Sequence, residues 1–213
     1  MLLLIGAKFR KLWKGQFSSS DLVLDVGCGS HPRYHRHIPS RIICSDITKS
    51  PNAHLISDAQ AIPFRPSSFD GVVSVNSLYY CEDPKKAVSE FSHVLKKGGR
   101  LVMVTPFIYP IHDAPHDRFR FTEYGLRELL KDGFVVQKVA PIGGLFSVPL
   151  LMCYSLYKGS FSLAPIPLRL PMKILSAVVF FIPLVILNVL SLLDFFDRSG
   201  RWPIYYFTIA KKK

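Results

Sequence analysis

The sequence predicts an α/β fold, a doubly wound sheet of seven strands with a hydrophobic helical insertion ahead of the last one. Three observations carry this expectation. Five short apolar runs, DLVLDV (21–26), RIICSDI (41–47), AHLIS (53–57), GVVSVN (71–76) and RLVMVTPF (100–107), are too short for helices and lack strict alternation, the pattern of strands buried on both faces of a parallel sheet. Between the fourth and fifth, DPKKAVSEFSHVLKKGG places Ala87, Val88, Phe91, Val94 and Leu95 on one helical face, opens with Asp-Pro and closes with Gly-Gly. Strand, helix and strand in that order form a right-handed crossover unit. The first run, finally, ends in a glycine turn.

The remaining elements follow in chain order. TEYGLRELLKDGF (122–134) predicts a helix with Thr122 as its N-cap and Gly133 as its C-cap. VVQKVAPI (135–142) predicts a sixth strand, and WPIYYFTIAKKK, which alternates aromatic and β-branched residues before a lysine tail, predicts a seventh over 204–210. The composition changes abruptly from Gly143 to about Arg201. The expected organisation is therefore a basic amphipathic N-terminal segment (1–18), a core (19–142), a hydrophobic helical insertion (143–203), and the last strand with its basic tail (204–213).

Composition narrows the function classes. With 49 % hydrophobic and 20 % charged residues, the chain is not disordered over most of its length. A mean hydropathy of +0.24 and a net charge of +12, from 27 Lys and Arg against 15 Asp and Glu, make a membrane surface a candidate partner. Cys28, Cys44, Cys81 and Cys153 form no C-x-x-C pair, so they are expected as reduced thiols of a cytoplasmic protein. MLLLIG is apolar for about one helical turn before Lys8, Arg10, Lys11 and Lys14. That reverses the order of a secretory signal, and no export is expected. His31, His35 and His37 lack a completing Cys or carboxylate at ligand spacing, so they read as a solvated cationic loop and no metal is expected.

The chemistry lies in Leu24-Asp25-Val26-Gly27-Cys28-Gly29-Ser30, a strand end followed by a glycine turn. Two glycines let the backbone approach a ligand closely, and the parallel-sheet rule puts that ligand at the carboxyl ends of the strands. Asp46, closing the second strand about 20 residues on, is suited to ribose hydroxyls. Pro32 stands where a third glycine would be, which counts against a pyrophosphate docked on a following helix and favours a nucleoside without phosphates.

LDVGCGS, SDI, ISDAQAIPFRPSSFDGVVSVNSLYYCEDP and FSHVLKKGGRLVMVTPF, in that order and spacing, resemble the successive motifs of class I S-adenosylmethionine-dependent methyltransferases. The resemblance covers about residues 21–142. It implies a Rossmann-like sheet whose last strand runs antiparallel beside the fifth, and S-adenosylmethionine as cofactor. By the same resemblance Asp25 lies near the methionine amino end, Gly27 and Gly29 pass under the cofactor, Asp46 with Ile47 meets the ribose, Asp58 and Ala59 edge the adenine, and Asn76 lies beside the methionine portion. As alternatives, Asp25 is a helix-capping or loop-bracing carboxylate and Asp58 forms an ordinary Asx turn.

Pro106-Phe107, His112, Pro115-His116-Asp117, Arg120 and Thr122 resemble a pattern, H-x-x-P-x-D-x-x-R-x-T before a helix, in a subset of these enzymes associated with glycan or lipid pathways. It implies a loop over the transferable methyl, with His112 as general base, Asp117 or Asp113 orienting it, and Arg120 pairing with Asp117 or an acidic acceptor. The alternative is a salt-bridged brace in which Asp117 and Arg120 only hold the loop. The base-amino signature and the paired cysteines of RNA cytosine enzymes are missing, which weakens a nucleic-acid acceptor.

From Ile174 to Leu193 there are 20 residues without a charge, ILSAVVFFIPLVILNVLSLL, long enough to span a bilayer. A single crossing would strand the last strand on the far side of its own sheet. Two placements remain, a monotopic platform in one leaflet at the cytoplasmic face, or a buried helix pair or homo-oligomer face. The expected function is methyl transfer, at oxygen, to a small-molecule, apolar, lipid-linked or glycan-type acceptor at a membrane surface. The rivals are a non-catalytic binding protein of a membrane complex that keeps the cofactor fold, and an RNA methyltransferase.

Overall fold

The computed structural model describes residues 3–162, 165–197 and 199–213. Positions 1 and 2 of the predicted N-terminal segment and 163, 164 and 198 of the predicted insertion lie outside the described residues. Contacts divide the chain into two compact units: one of Phe9–Phe107, Ile111–Ala140 and Tyr205–Lys213, the other of Pro141–Ile204 with the N-terminal residues to Lys8 and Ile108–Pro110.

The first unit is built on seven strands: β1 Leu22–Val26, β2 Arg41–Asp46, β3 Leu55–Ile56, β4 Phe69–Val75, β5 Leu95–Pro106, β6 Phe134–Ile142 and β7 Tyr205–Lys212, in the spatial order β3-β2-β1-β4-β5-β7-β6. β3, β2, β1, β4 and β5 pair in parallel, while β7 runs antiparallel to β5 from Arg100↔Lys211 to Pro106↔Tyr205. This is the doubly wound arrangement with an inserted last strand. The strand order reverses between β1 and β4, and a reversal of that kind opens a crevice at the carboxyl ends of the strands.

Central strands are buried on both faces, which is why their sequences read as continuous apolar runs: Val23, Leu24, Val72, Val73, Leu101 and Val102 are all inaccessible. α2, Pro84–Val94, starts where the Asp83 carboxylate accepts the Lys85 and Lys86 amides at 2.9 and 3.1 Å. It buries the predicted face, Ala87, Val88, Phe91 and Val94, in the core, joined there by Leu95. α3, Glu123–Leu130, is capped by Thr122, whose hydroxyl accepts the Gly125 amide at 3.0 Å.

Two local expectations are corrected. α2 ends at Val94, and the chain passes directly into β5 at Leu95 rather than running on to Gly98-Gly99. A β-carbon on Gly99 would stand 2.8 Å from the Lys96 carbonyl oxygen, so this glycine serves a bend at the start of β5, where the β4–β5 register shifts between Phe69 and Gly71. Gly133 is not a C-cap: α3 stops at Leu130, and Gly133 instead lies against Ser92 of α2. The segment expected to be basic and amphipathic contains an α-helix, α1 Leu3–Trp13. Its Trp13 is buried, stacked on Tyr34 at 5.6 Å and edge-on to Phe207 at 5.2 Å.

The second unit contains two helices, α4 Ser147–Ser162 and α5 Arg169–Leu190, followed by a 3-10 turn over Ser191–Phe195. Asp194 fastens the start of α4, accepting the Phe146 amide at 2.8 Å and the Ser147 hydroxyl, while Asp197 accepts the Leu145 amide at 3.0 Å. Entry and exit meet where the Ile204 amide donates to the Ile142 carbonyl at 2.8 Å.

Candidate active site

The glycine turn after β1 is held from two sides. The Gly27 amide donates to the Ser45 carbonyl of β2 at 2.8 Å, and Gly27 has φ +76°. A β-carbon there would lie 2.3 Å from Ser77 Cβ. Ser77 is fixed by its own bonds, donating to the Val26 carbonyl at 2.8 Å and lying 2.7 Å from the Ser74 hydroxyl. Gly27 is therefore demanded by the approach of the β4 terminus. Gly29 differs: at φ +63° nothing lies within 4 Å of where its β-carbon would stand, so the backbone borders open space.

Asp46, at the end of β2, ties this turn to its own strand. One carboxylate oxygen accepts the Gly29 amide at 2.8 Å, and the other accepts the Thr48 amide and hydroxyl at 3.0 and 2.9 Å. Ile47 beside it is exposed on the same edge. Asp58, after β3, closes an Asx turn with the Gln60 amide at 2.9 Å, and Ala59 packs against the core. Gln60 passes the restraint on by accepting the Asp83 amide at 2.8 Å, and Glu90 of α2 accepts the Ile62 amide at 2.9 Å.

Asp25 is fully buried in β1 and braced as well. Its Oδ2 accepts the Tyr34 hydroxyl at 2.7 Å and lies 2.6 Å from His35 Nε2. Both partners come from the short 3-10 helix Arg33–His37, which occupies the β1–β2 crossover after Pro32. Burial pushes the Asp25 carboxyl above its ordinary range, against the opposing hydrogen bonds from His35 and Tyr34. Its Oδ1 is buried without a partner, and so is Oδ1 of Asn76, which follows β4 at φ +52°. Buried acceptors of this kind call for a donor. Two stand at the carboxyl ends of β1 and β4, the strands that flank the switch point, so the residues fit a ligand bearing an ammonium group and ribose hydroxyls.

Asp25, His35 and Cys44 could each offer one ligand atom within 4.8 Å of one another. Burial, however, pushes the Cys44 thiol up to about 12 and the Cys28 thiol up to about 11. Both are thiols at neutral pH, neither nucleophiles nor ready metal ligands.

The loop after β5 carries the three residues expected to be catalytic. The Asp117 side chain keeps 1 % of its accessibility and is gripped by both terminal nitrogens of Arg120, whose side chain keeps 25 %, with Nη2 to Oδ2 at 2.6 Å. Asp117 also accepts a 2.7 Å bond from His112, but from the backbone amide and not the ring. The Arg120 bond, with the His112 amide adding to it, holds the Asp117 carboxyl below its usual range. His112 itself is exposed. The Arg120 guanidinium lies 5.5 Å over the Tyr79 ring, the Arg118 amide donates to the Tyr79 carbonyl at 3.3 Å, and the Arg118 side chain reaches the Tyr80 carbonyl at 2.8 Å and Glu82 at 2.9 Å.

The structure thus joins the two groups of predicted residues through 76–82, the turn after β4 that holds Asn76 and Ser77 at one end and receives the loop at the other. Tyr34, Ser77, Tyr79 and Gln60 were not singled out from the sequence, and His35, expected in a solvated cationic loop, is instead drawn onto the buried Asp25 carboxylate. Only the aromatic pair Tyr79-Tyr80, directly after the fourth run, offered a signal.

Residues 24–103 match the family model described as a methyltransferase domain. The demethylmenaquinone methyltransferase of Renibacterium salmoninarum is 41 % identical over 75 residues, 35 % of this chain and 30 % of the relative. The mitochondrial arginine-hydroxylase NDUFAF5 of Mus musculus is 31 % identical over 94 residues, 38 % of this chain and 27 % of the relative. The chain thus spans less than a third of the length of these curated relatives. Among solved structures, the [4+2]-cyclase SpnF superposes with a TM-score of 0.62 at 18 % identity, over 96 % of this chain and 80 % of that one.

Proposed function

We infer that this chain, which carries a methyltransferase domain on the class I S-adenosylmethionine-dependent methyltransferase fold, transfers a methyl group from S-adenosylmethionine to an apolar, lipid-linked or glycan-type acceptor, at oxygen, at the cytoplasmic face of a membrane. The observation that supports it most is the set at the switch point: open space beside Gly29, and two buried, unpartnered acceptors, Asp25 Oδ1 and Asn76 Oδ1.

Asp46 binds the ribose hydroxyls while its bond to the Gly29 amide holds the turn in place. Asp25 and Asn76 receive the methionine end, Ile47 lies under the ribose and base, and Asp58 with Ala59 borders the adenine. S-adenosylmethionine, when bound, supplies a methyl already activated on a sulfonium, so the chain's task is to hold the acceptor in line and exclude water. His112 takes the proton of an acceptor hydroxyl. Asp117 and Arg120 hold the loop that presents it, and Tyr79 anchors that loop to the β4 end.

The arginine-hydroxylase and the [4+2]-cyclase among the similar proteins are named for other chemistry. A cofactor-fold protein without methyl transfer is accordingly the second reading. Calorimetry with S-adenosylmethionine tests the first step. The wild type should bind, and Asp46→Ala should bind about tenfold or more weakly, a loss of roughly 1.5–3 kcal/mol for hydrogen bonds to a charged group. Absence of wild-type binding overturns the reading. Untargeted mass spectrometry of membrane lipids and glycans, with wild type against the binding-deficient variant, should then reveal species differing by one CH2. Binding without any such pair favours the second reading.

A further inference from the structure

The α4–α5 hairpin turns its few polar groups inward and an apolar surface outward. Along α5 the covered stripe mixes Met172, Phe180, Leu184 and Leu187, each half-buried, with Ser176, 5 % exposed, and leads to Ser191, fully buried just past the helix end, with the buried Oδ1 of Asn188 between them. The surface of the same helix is apolar, with Val178 69 % and Ile182 64 % exposed. At about 100° per residue, the exposed apolar positions of α5 sweep an arc of roughly 200°. A helix of a water-soluble protein shows the reverse pattern, polar outside and apolar inside. Polar residues turned in toward a neighbouring helix, with aliphatic residues turned out, are the arrangement of helices solvated by acyl chains.

Charge points to the same partner. Between Asp132 and Asp194 the sequence has no acidic residue, while Lys138, Lys158, Arg169 and Lys173 are present. Lys158, Arg169 and Lys173 border the turn between α4 and α5, and the acidic pair Asp194 and Asp197 closes the opposite, base end. Cations of this kind are attracted to anionic headgroups. A second copy of the chain would cover one side of the hairpin, whereas an arc of roughly 200° needs a partner that wraps it.

We propose that the α4–α5 hairpin lies along the surface of a phospholipid bilayer, with its exposed apolar arc in one leaflet and Lys158, Arg169 and Lys173 at the phosphate level. The proposal deepens the membrane-surface part of the function above and is independent of methyl transfer. Ile166–Phe195 is long enough to cross, but charge lays it flat: at about 100° per residue Arg169 and Lys173 fall roughly 20° and 60° from Ser176, off the exposed apolar arc, so both reach headgroups while the arc faces acyl chains.

Vesicle flotation of the full chain tests this. On phosphatidylcholine vesicles containing phosphatidylglycerol the protein should float and stay bound in high salt. Val178→Glu with Ile182→Glu, both at exposed positions, should cut the bound fraction at least tenfold while leaving the far-ultraviolet circular dichroism unchanged. Ser176→Ala, on the inner stripe, should float like the wild type. Trypsin trapped inside the vesicles should leave the turn uncut, and cleavage at Lys158, Arg169 or Lys173 from the lumen overturns the single-leaflet placement. Release by salt alone refutes apolar embedding. A wild type that stays at the bottom as a monodisperse, detergent-free oligomer makes the hairpin a subunit interface, and the proposal fails whatever S-adenosylmethionine calorimetry gives.

Discussion

Gly27→Ala builds a methyl group onto a backbone at φ +76° and sets it 2.3 Å from Ser77 Cβ. The left-handed conformation alone costs a non-glycine residue about 1–2 kcal/mol. A carbon–carbon contact needs about 3.5 Å, so Ser77 must retreat by about 1.2 Å. Its bonds to the Val26 carbonyl and the Ser74 hydroxyl resist that movement. Overpacking of this size adds about 1–3 kcal/mol, for a total loss of about 2–5 kcal/mol. Gly29→Ala carries only the backbone part, about 1–2 kcal/mol, because its β-carbon meets nothing; it projects instead into the space assigned to the ligand. Urea unfolding and calorimetry with S-adenosylmethionine separate the two. Gly27→Ala should lose more stability, and Gly29→Ala should lose tenfold or more in affinity. Adding Ser77→Gly to Gly27→Ala should show a favourable coupling of about 1–3 kcal/mol in a double-mutant cycle. Equal stability losses, or a Gly29→Ala protein that binds like the wild type, would refute the division of labour between the two glycines.

Two further outcomes are expected from the loop. Arg120→Met leaves Asp117 nearly buried without its cation and should cost about 2–3 kcal/mol, below the 3–5 of a fully buried pair because Arg120 keeps 25 % side-chain exposure. Since the Asp117 carboxyl is depressed in the folded state, its stabilising contribution is complete above the unfolded value near pH 4 and fades as pH falls through the folded one. The stability advantage of wild type over Asp117→Asn should therefore shrink in acid, and an advantage that grows on acidification contradicts the pairing. His112→Ala should lower turnover about a hundredfold while leaving the melting temperature unchanged, because Asp117 holds the residue 112 backbone amide. A fall in stability matching the fall in turnover removes His112 from proton transfer.

The sheet was legible because β1, β2 and β4 are buried on both faces and so write themselves as unbroken apolar runs. β5 was read from Arg100 onward because Lys96, Lys97, Gly98 and Gly99 are polar or side-chain-free in an irregularity at the start of the strand, where the register with β4 skips from Leu95 to Arg100. Gly98-Gly99 and Gly133 carry the composition of helix stops but do other work, one in a bend and one against Ser92, since glycine is selected by close approach as readily as by a left-handed turn. The glycine turn and Asp46 could be found because they are consecutive or evenly spaced along a strand-turn pattern. The grip of Tyr34 and His35 on Asp25, and of Arg120 on Tyr79, depends on segments meeting in space and left no periodic trace. The hairpin was visible as an uncharged stretch, but which side of it is covered became apparent only once the stripe through Ser176 was seen buried.

The rung between the Ile204 amide and the Ile142 carbonyl makes the whole stretch 143–203, in topological terms, one oversized hairpin loop joining two neighbouring strands. Loop closure entropy rises only slowly with length, by about 0.6 kcal/mol for each doubling. The sheet is therefore nearly indifferent to how much chain hangs between these two residues. Such a loop is an exchangeable cassette: a short turn grafted from Ile142 to Ile204 should keep β6 and β7 in register, and a different insertion should leave the sheet intact.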